Sequence, residues 1–478
     1  MLIHAGSQTI IRHRTLLIGF ACASLGLAQS AASAVQSIDL TQAINYALAQ
    51  NRDLARSALD VGAARYGINA SEAEFRLSVR PEASVTGSAE DRGYSYGLVT
   101  SKKLMTGTTL SVSGGVEDLP DELGGFNLRQ GQRVQVAISQ PIFRNFGRLM
   151  HGEGILQANN DLKTAQRRYE LQKNDLVIRV VETYETLLRV RRQVESDSDS
   201  FKRMDDLHRV TKAHELIGKT TRVDTLRVAL LRGEAASRLE IAKERLASTQ
   251  QDFVELLGFS LGTEFELAPV PVLTFAIPEV DEAVAIALRN RMDYAQVRQD
   301  HEDSLRNVRI ARRNLLPDVR LTVGHEWWDQ NTITSDGLEL DENVWFFRVS
   351  LGTDLNPATE RAELSKAVVG ERSSSQLVEI IELSIARLVQ QHLLAHRRAR
   401  QELDIAKRNH ELAASRAKLT RRLFELGREN NFSVTDAETA LIQSEYRLFL
   451  ARSESVNSGY RLMRALGTLV ESPQYLKP

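Results

Sequence analysis

Apolar positions along this chain recur with two periods. Over residues 40–80, 147–217, 221–257, 280–316, 358–426 and 433–466 they return every three to four residues and predict helices; between these stretches they alternate and predict strands. At ~1.5 Å per residue the 40–80 helix would be about 60 Å long and the 147–217 helix about 105 Å, far beyond the ~11–12 residues of a usual globular helix. Thr41 is the expected N-cap of the first helix. Pro81 is its expected end, because the residue before a proline is pushed out of the α region. Leu176, Val180, Tyr184 and Leu187 form one apolar stripe, and Val177, Val181 and Leu188 form another beside it. A helix with two apolar flanks and one charged face needs a neighbour on either side, which a layer of helices curved into a tube supplies. A coiled coil needs only one narrow seam.

The alternating stretches carry the second signal. After Pro317, Val319, Leu321, Val323, His325 and Trp327 occupy one side of a predicted strand and Asp318, Arg320, Thr322, Gly324 and Glu326 the other. Its partner sets Trp345, Phe347, Val349 and Leu351 against Phe346, Arg348, Ser350 and Gly352. Earlier in the chain Ala83, Val85 and Gly87 begin one strand, and Val134, Val136 and Ile138 alternate with Arg133, Gln135 and Ser139 in another. Such lengths suit the ~9–11 residues of a membrane β-strand, although a soluble sandwich with one wet face alternates in the same way. Trp327, Trp328, Trp345 and Phe347 fit an aromatic belt at a membrane interface. Tyr94 to Glu117 hold a further alternating pair around Met105-Thr106-Gly107-Thr108, either an extracellular excursion or an extra hairpin in the barrel, of which the excursion is preferred. Four main strands cannot close a barrel. Open edges in lipid cost several kcal/mol per unpaired backbone group, so several copies must share one barrel, and three copies would supply 12 strands.

The chain also repeats itself. Leu40-Thr41-Gln42-Ala43-Ile44-Asn45-Tyr46-Ala47-Leu48 returns as Val280-Asp281-Glu282-Ala283-Val284-Ala285-Ile286-Ala287-Leu288, and each long helix later reaches a glycine, Gly218 or Gly427, followed by a second helix ending at Gly258 or Gly467. So long a period points to one duplicated unit rather than a short-repeat solenoid. The expected organisation is a signal peptide at 1–34, a first repeat at 35–258, a proline-bearing linker at 259–279, a second repeat at 280–468 and a tail at 469–478.

Arg12, His13 and Arg14, the apolar run Thr15 to Leu27 and Ala32-Ser33-Ala34 have the order of a secretory signal. Cys22 is the only cysteine, and its surroundings lack the leucine and small residue of a lipoprotein signal; the chain beyond the signal has no thiol chemistry. Removing the signal leaves 59 basic against 62 acidic side chains, a net charge of −3, which argues against a nucleic-acid partner.

Several segments together resemble the outer-membrane efflux protein family typified by TolC. They are the duplicated entry helix, Leu316-Pro317-Asp318-Val319, Ser139-Gln140-Pro141-Ile142-Phe143 with Gly147-Arg148, and Leu426-Gly427 with Phe432-Ser433-Val434-Thr435-Asp436-Ala437. The likeness covers about residues 38–468. It implies an α+β membrane protein: a long antiparallel α-helical barrel forming a periplasmic tunnel, with four β-strands per protomer in a shared trimeric outer-membrane β-barrel. It also implies a homotrimer that contacts outer-membrane lipid, docks on a periplasmic adaptor (membrane fusion) protein and an inner-membrane pump, and acts as a passive exit duct for efflux or type I secretion.

On that resemblance the tips and adaptor contact fall at Gly218, Lys219, Thr220 and Thr221 and at Gly427, Arg428, Glu429, Asn430 and Asn431. Asp224, Glu425 and Asp436 are candidate gate residues. For Asp224 and Asp436, placed at the starts of returning helices, the plainer role is capping. Neither tip has the Val-Gly-Leu-Thr often found at adaptor contacts, and the return at Thr353-Asp354-Leu355-Asn356-Pro357 lacks the usual Pro-Leu-Phe.

No catalytic or metal residues are assigned and no cofactor is expected. Ile217-Gly218-Lys219-Thr220 has Ala213 where a phosphate-binding loop needs its first glycine. His392 and His396 are four apart on a helix without further ligands and read as solvated or pore-facing. His325-Glu326 lacks the second histidine of a metalloprotease motif. The alternative reading is a periplasmic helical-hairpin or adaptor protein without a pore.

Overall fold

The computed structural model describes residues 36–87, 92–119, 129–260, 263, 265–270, 278–329, 340, 342–426 and 428–471. The signal segment 1–34 with Cys22, Gly427 and most of the tail lie outside the described residues.

Residues 36–73 form a strand and two helices: β1 (Gln36–Ile38), α1 (Leu40–Gln50) and α2 (Arg52–Ala73). This corrects the single helix expected over 40–80. Asp39, not Thr41, is the N-cap: its Oδ1 accepts from Gln42 N at 2.7 Å, and Gln42 Oε1 accepts from Asp39 N at 3.1 Å. Asn51 then leaves the helical region at ψ 126°. Its Oδ1 takes the Asp53 and Leu54 amides at 3.0 and 3.1 Å, so one residue ends α1 and caps α2. Pro81 ends nothing; it lies inside β2 (Ser78–Gly87), an edge strand of its sheet, where a missing amide is tolerated.

Next come β3 (Arg92–Lys103), β4 (Thr109–Leu119) and β5 (Arg129–Pro141), the short α3 (Arg148–His151), and the long hairpin α4 (Glu153–Leu216) and α5 (Arg222–Leu257). The helix expected from 147 is thus interrupted at Gly152. α4 has 64 residues, about 96 Å at ~1.5 Å per residue. Within the expected linker, β6 (Phe265–Leu267) pairs in parallel with β1.

The remaining elements are α6 (Val280–Asn290), α7 (Met292–Asn314), β7 (Asp318–Asp329), β8 (Glu342–Gly352), α8 (Ala358–Glu425) and α9 (Asn431–Leu466). The helix expected over 280–316 breaks at Arg291, where ψ is 125° and the guanidinium holds Asp293 through two bonds of 3.0 and 2.6 Å.

The helices make one layer. α4 packs on α2 near the sheet and on α5 further away, α8 packs likewise on α7 and then α9, and α4 meets α7 and α9 between them. The repeated entry motif has a packing cause. Ala43 and Ala47 are fully buried in a cluster with Leu176, Val180 and Tyr184 of α4 and Phe253 and Leu257 of α5. Ala283 and Ala287 are fully buried against Ile385, Val389 and Leu393 of α8 and Leu462 of α9. A larger side chain at any of these alanines would separate the helices. The Tyr184 hydroxyl lies 2.9 Å from the Ile38 carbonyl and 2.7 Å from that of Ala268, tying both short strands to α4.

Among the described residues the main sheet has six strands in the order β2-β3-β4-β5-β7-β8, all antiparallel. The expectation of four strands per protomer, with 94–117 as an excursion, is therefore incorrect. β3 and β4 lie between β2 and β5, and their turn points toward the helices. Gly107 adopts φ +90°, a left-handed value, and Gly147 N donates to the Thr106 carbonyl at 2.9 Å. The register lines up one apolar face across all six strands: Val85, Tyr94, Val116, Val134, Trp327 and Trp345 toward the far end, and Val79, Leu98, Leu110, Ile138, Leu321 and Val349 toward the helices. Ser84, Ser95, Ser113, Gln135, Glu326 and Val344 lie on the other face, which is mainly polar.

Candidate functional site: hairpin tips and membrane sheet

Two regions carry the geometry relevant to function, at opposite ends of the helical layer. At the first tip Gly218 reverses the chain at φ +70°. Lys219 N donates to the His214 carbonyl at 2.8 Å, and the Thr220 hydroxyl donates to that of Thr211 at 3.2 Å. Thr221 caps α5 through a reciprocal box with Asp224. The Thr221 hydroxyl and amide, with Arg227 at 3.7 Å, hold the Asp224 carboxyl below the usual carboxylate range. Capping thus accounts for Asp224.

At the second tip Asn430 caps α9, accepting from Ser433 N at 2.9 Å. Asn431 opens the helix, so Asp436 stands in the second turn. It pairs instead with Arg416 of α8, correcting its expected capping role. Arg428 N donates to the Leu423 carbonyl at 2.8 Å, and Glu429 accepts from Asn430 N at 3.3 Å. Glu425 is the exposed last residue of α8. The tip surface is apolar as well as charged: Leu216, Ile217, Val223, Leu226, Leu426 and Phe432 are each more than 60% exposed.

Behind the tips lies a feature that sequence reasoning missed. Glu438 of α9 is buried, and it accepts from Arg203 of α4 at 2.8 Å and from Arg421 of α8 at 2.6 Å. This carboxylate joins the two hairpins. Beneath it Met204, Leu207, Val228, Phe424 and Val434 form a separate apolar cluster drawn from all four helices. Further from the tips, Arg461 bonds Glu182 at 2.7 Å and Arg464 bonds Asp175. A cleft of about 1110 Å³ at this level is lined by these arginines and by Arg179, Arg291 and His392. Arg291, Arg461 and Arg464 are each offset by an acidic partner. Buried Glu185 of α4 faces Arg452 and Arg192; desolvation outweighs both and pushes its carboxyl up to about 7.

His392 and His396 do not act as a pair. His396 is buried and its Nδ1 lies 3.0 Å from the Ser458 hydroxyl, which corrects the solvated or pore-facing reading. Burial holds both imidazoles below their ordinary range. Among the described residues no group of three or more His, Cys, Asp or Glu side chains is arranged to hold a metal, and no helix is long and apolar enough to cross a membrane.

At the sheet end the expected aromatic belt is only partly one belt. Trp327, Trp345 and Phe347 share the apolar face, while strand alternation puts Trp328 on the polar one. Trp327 and Trp345 flank the His325 ring at 4.2 and 4.6 Å, leaving it buried on the apolar face. Tyr94 and Tyr96 extend the aromatic row onto β3, and Phe143 and Phe146 are exposed in the loop that follows β5. An aromatic row at the far end of an apolar face resembles one girdle of an outer-membrane barrel. On the polar face Arg133 bonds Glu326 at 2.9 Å across β5 and β7.

Residues 283–468 match the family model of the outer membrane efflux protein. No curated protein sequence matches the chain. Among solved structures, the outer-membrane channel OprN aligns with a TM-score of 0.70 at 15% identity, covering 90% of each chain. The Campylobacter jejuni CmeC outer membrane channel aligns at 0.71 and 13% identity, covering 91% of this chain and 87% of its own. The open state of the Neisseria gonorrhoeae MtrE outer membrane channel aligns at 0.67 and 15% identity, covering 90% and 89%. The second half of the chain thus matches the outer membrane efflux protein model, and the chain as a whole shares the fold of these outer-membrane channels.

Proposed function

We propose that this chain is one protomer of a homotrimeric outer-membrane channel, the passive exit duct of a tripartite efflux or type I secretion system. The sheet crosses the outer membrane and the helical layer extends into the periplasm. The observation that carries this reading is the amphipathic sheet set on a four-wide helical layer whose lateral edges are apolar and unpartnered. Val349 and Leu351 on the edge strand β8 are 62% and 65% exposed. α8 leaves Ile405, Leu412 and Leu419 exposed at a spacing of seven, and on the opposite edge α5 leaves Leu226 and Leu230 exposed and α2 leaves Leu59 and Tyr66. Copies set edge to edge would bury these rows together and pair the free strand edges, which lipid cannot satisfy.

The exposed apolar tips suit an adaptor, with Gly218 to Thr221 and Gly427 to Asn431 as the docking turns and the pump supplying energy. The Glu438 node and the tip charges Glu425 and Asp436 are the candidate elements that hold the tunnel shut. The two halves, 35–258 and 280–468, act as structural repeats that each contribute one long hairpin. The soluble hairpin or adaptor alternative gives no role to a continuous apolar face exposed on all six strands.

The test is fractionation followed by reconstitution. The protein should partition with outer membranes, run as a trimer in detergent and give discrete conductance steps in planar bilayers. A water-soluble monomer obtained without detergent would refute the proposal.

A further inference from the structure

Building on the trimeric channel reading, we propose that the shared barrel has eighteen strands, six from each of three copies. A barrel of that size is about one and a half times as wide as one built from four strands per copy. Three observations carry this. First, β3 and β4 are in unbroken register with their neighbours, from Ser78↔Ser101 to Gly87↔Arg92 and from Thr109↔Ser139 to Leu119↔Arg129. Second, they share the membrane face. Tyr94, Tyr96 and Leu98 on β3 and Leu110 and Val112 on β4 are 43–56% exposed, in line with Ile138 at 49% and Val323 at 41%. A plug or an external flap would not carry the same apolar row at the same height. Third, β2 and β8 run in opposite directions, so β8 of one copy meets β2 of the next antiparallel and the ring closes without a parallel seam.

The widths agree. Four helices side by side, at 8–10 Å between axes, span about 32–40 Å of circumference per copy. Six strands about 4.8 Å apart and tilted about 40° span about 38 Å, whereas four would span only about 25 Å.

Site-directed bimane labelling in vesicles containing nitroxide-labelled lipid tests the arrangement. Leu98→Cys and Val112→Cys probe the added strands, and Val323→Cys and Val349→Cys probe the others. All four labels should be quenched to a similar degree. Quenching confined to Val323→Cys and Val349→Cys would overturn the eighteen-strand barrel yet leave the channel intact. Loss of quenching at all four would refute the membrane reading itself. In a second measurement, deletion of Arg92–Leu119 should shrink the barrel cross-section about twofold, since diameter grows nearly linearly with strand number. The largest neutral polymer entering from the barrel side should fall accordingly. A deleted channel that inserts and admits the same polymers would rule out the wide bore.

Discussion

Replacing Glu438 by Gln tests whether the buried node locks the two hairpins. The substitution keeps size and hydrogen-bonding oxygen but removes the charge that Arg203 and Arg421 share. Removing one member of a buried ion pair costs about 3–5 kcal/mol when the partner stays buried. Here the arginine side chains are 22% and 38% exposed, so their heads regain some water. A loss of about 2 kcal/mol is the reasonable figure, and it shifts a two-state closed–open balance roughly thirtyfold. Single-channel recording should show Glu438→Gln dwelling in the open level far longer than the unmodified channel. Asp436→Asn is the control. Its pair with Arg416 is about half-exposed on both sides and worth about 0–1 kcal/mol, so it should move the balance less than about fivefold. If Glu438→Gln gates normally while Asp436→Asn opens the channel, the lock lies at the exposed rim and the reasoning from burial fails.

Glu185 should give a pH signature. Its folded value, about 7, is raised from an ordinary 4.5. The folded state thus binds the extra proton between these values, and stability falls as pH rises from about 4.5 to about 7. Glu185→Gln should flatten that part of the melting-temperature profile and add roughly 3 kcal/mol per protomer at pH 8; an unchanged slope would contradict the desolvation argument. Gly258→Ala and Gly218→Ala separate backbone strain from crowding. Both positions have left-handed φ, but a Cβ at Gly258 meets the Gln50 carbonyl at 2.6 Å whereas Gly218 has open space. Gly218→Ala should cost about 1–2 kcal/mol, and Gly258→Ala a further 1–3 kcal/mol or so, read by chemical denaturation. Leu412→Glu on the α8 edge should dissociate the trimer in detergent by native mass spectrometry, and an intact trimer would place the seam elsewhere.

The sequence exposed some levels of this structure and hid others for physical reasons. Long helices were legible because proline is absent from them and the apolar period persists. The breaks at Asn51 and Arg291 were not, since each is one non-glycine residue turned to an extended ψ inside an otherwise helical pattern. The Asn51-x-Asp53 cap was the available clue. Strand alternation gives the faces of β7 and β8 but says nothing about neighbours, so the β3–β4 hairpin is legible as a hairpin while its place between β2 and β5 is not. Placing Trp328 with Trp327 in one belt ignored the period-two rule that had identified the strand.

The tip residues are legible in the sequence by position alone, and the node at Glu438 is not. In the sequence of α9, nothing local distinguishes Glu438 from an ordinary solvated acid. Its burial depends on Arg203, 235 residues earlier in the chain, and on Arg421 across the hairpin. Glu425 and Glu429 have the same chemistry at a more obvious place, yet they sit where water screens them. A charge can lock a tunnel only where neighbouring helices exclude water from it, and that exclusion is a property of the packed hairpins rather than of either turn. The gate is therefore expected about two turns behind the second tip and between three and four turns behind the first, leaving the exposed apolar turns themselves free for a docking partner.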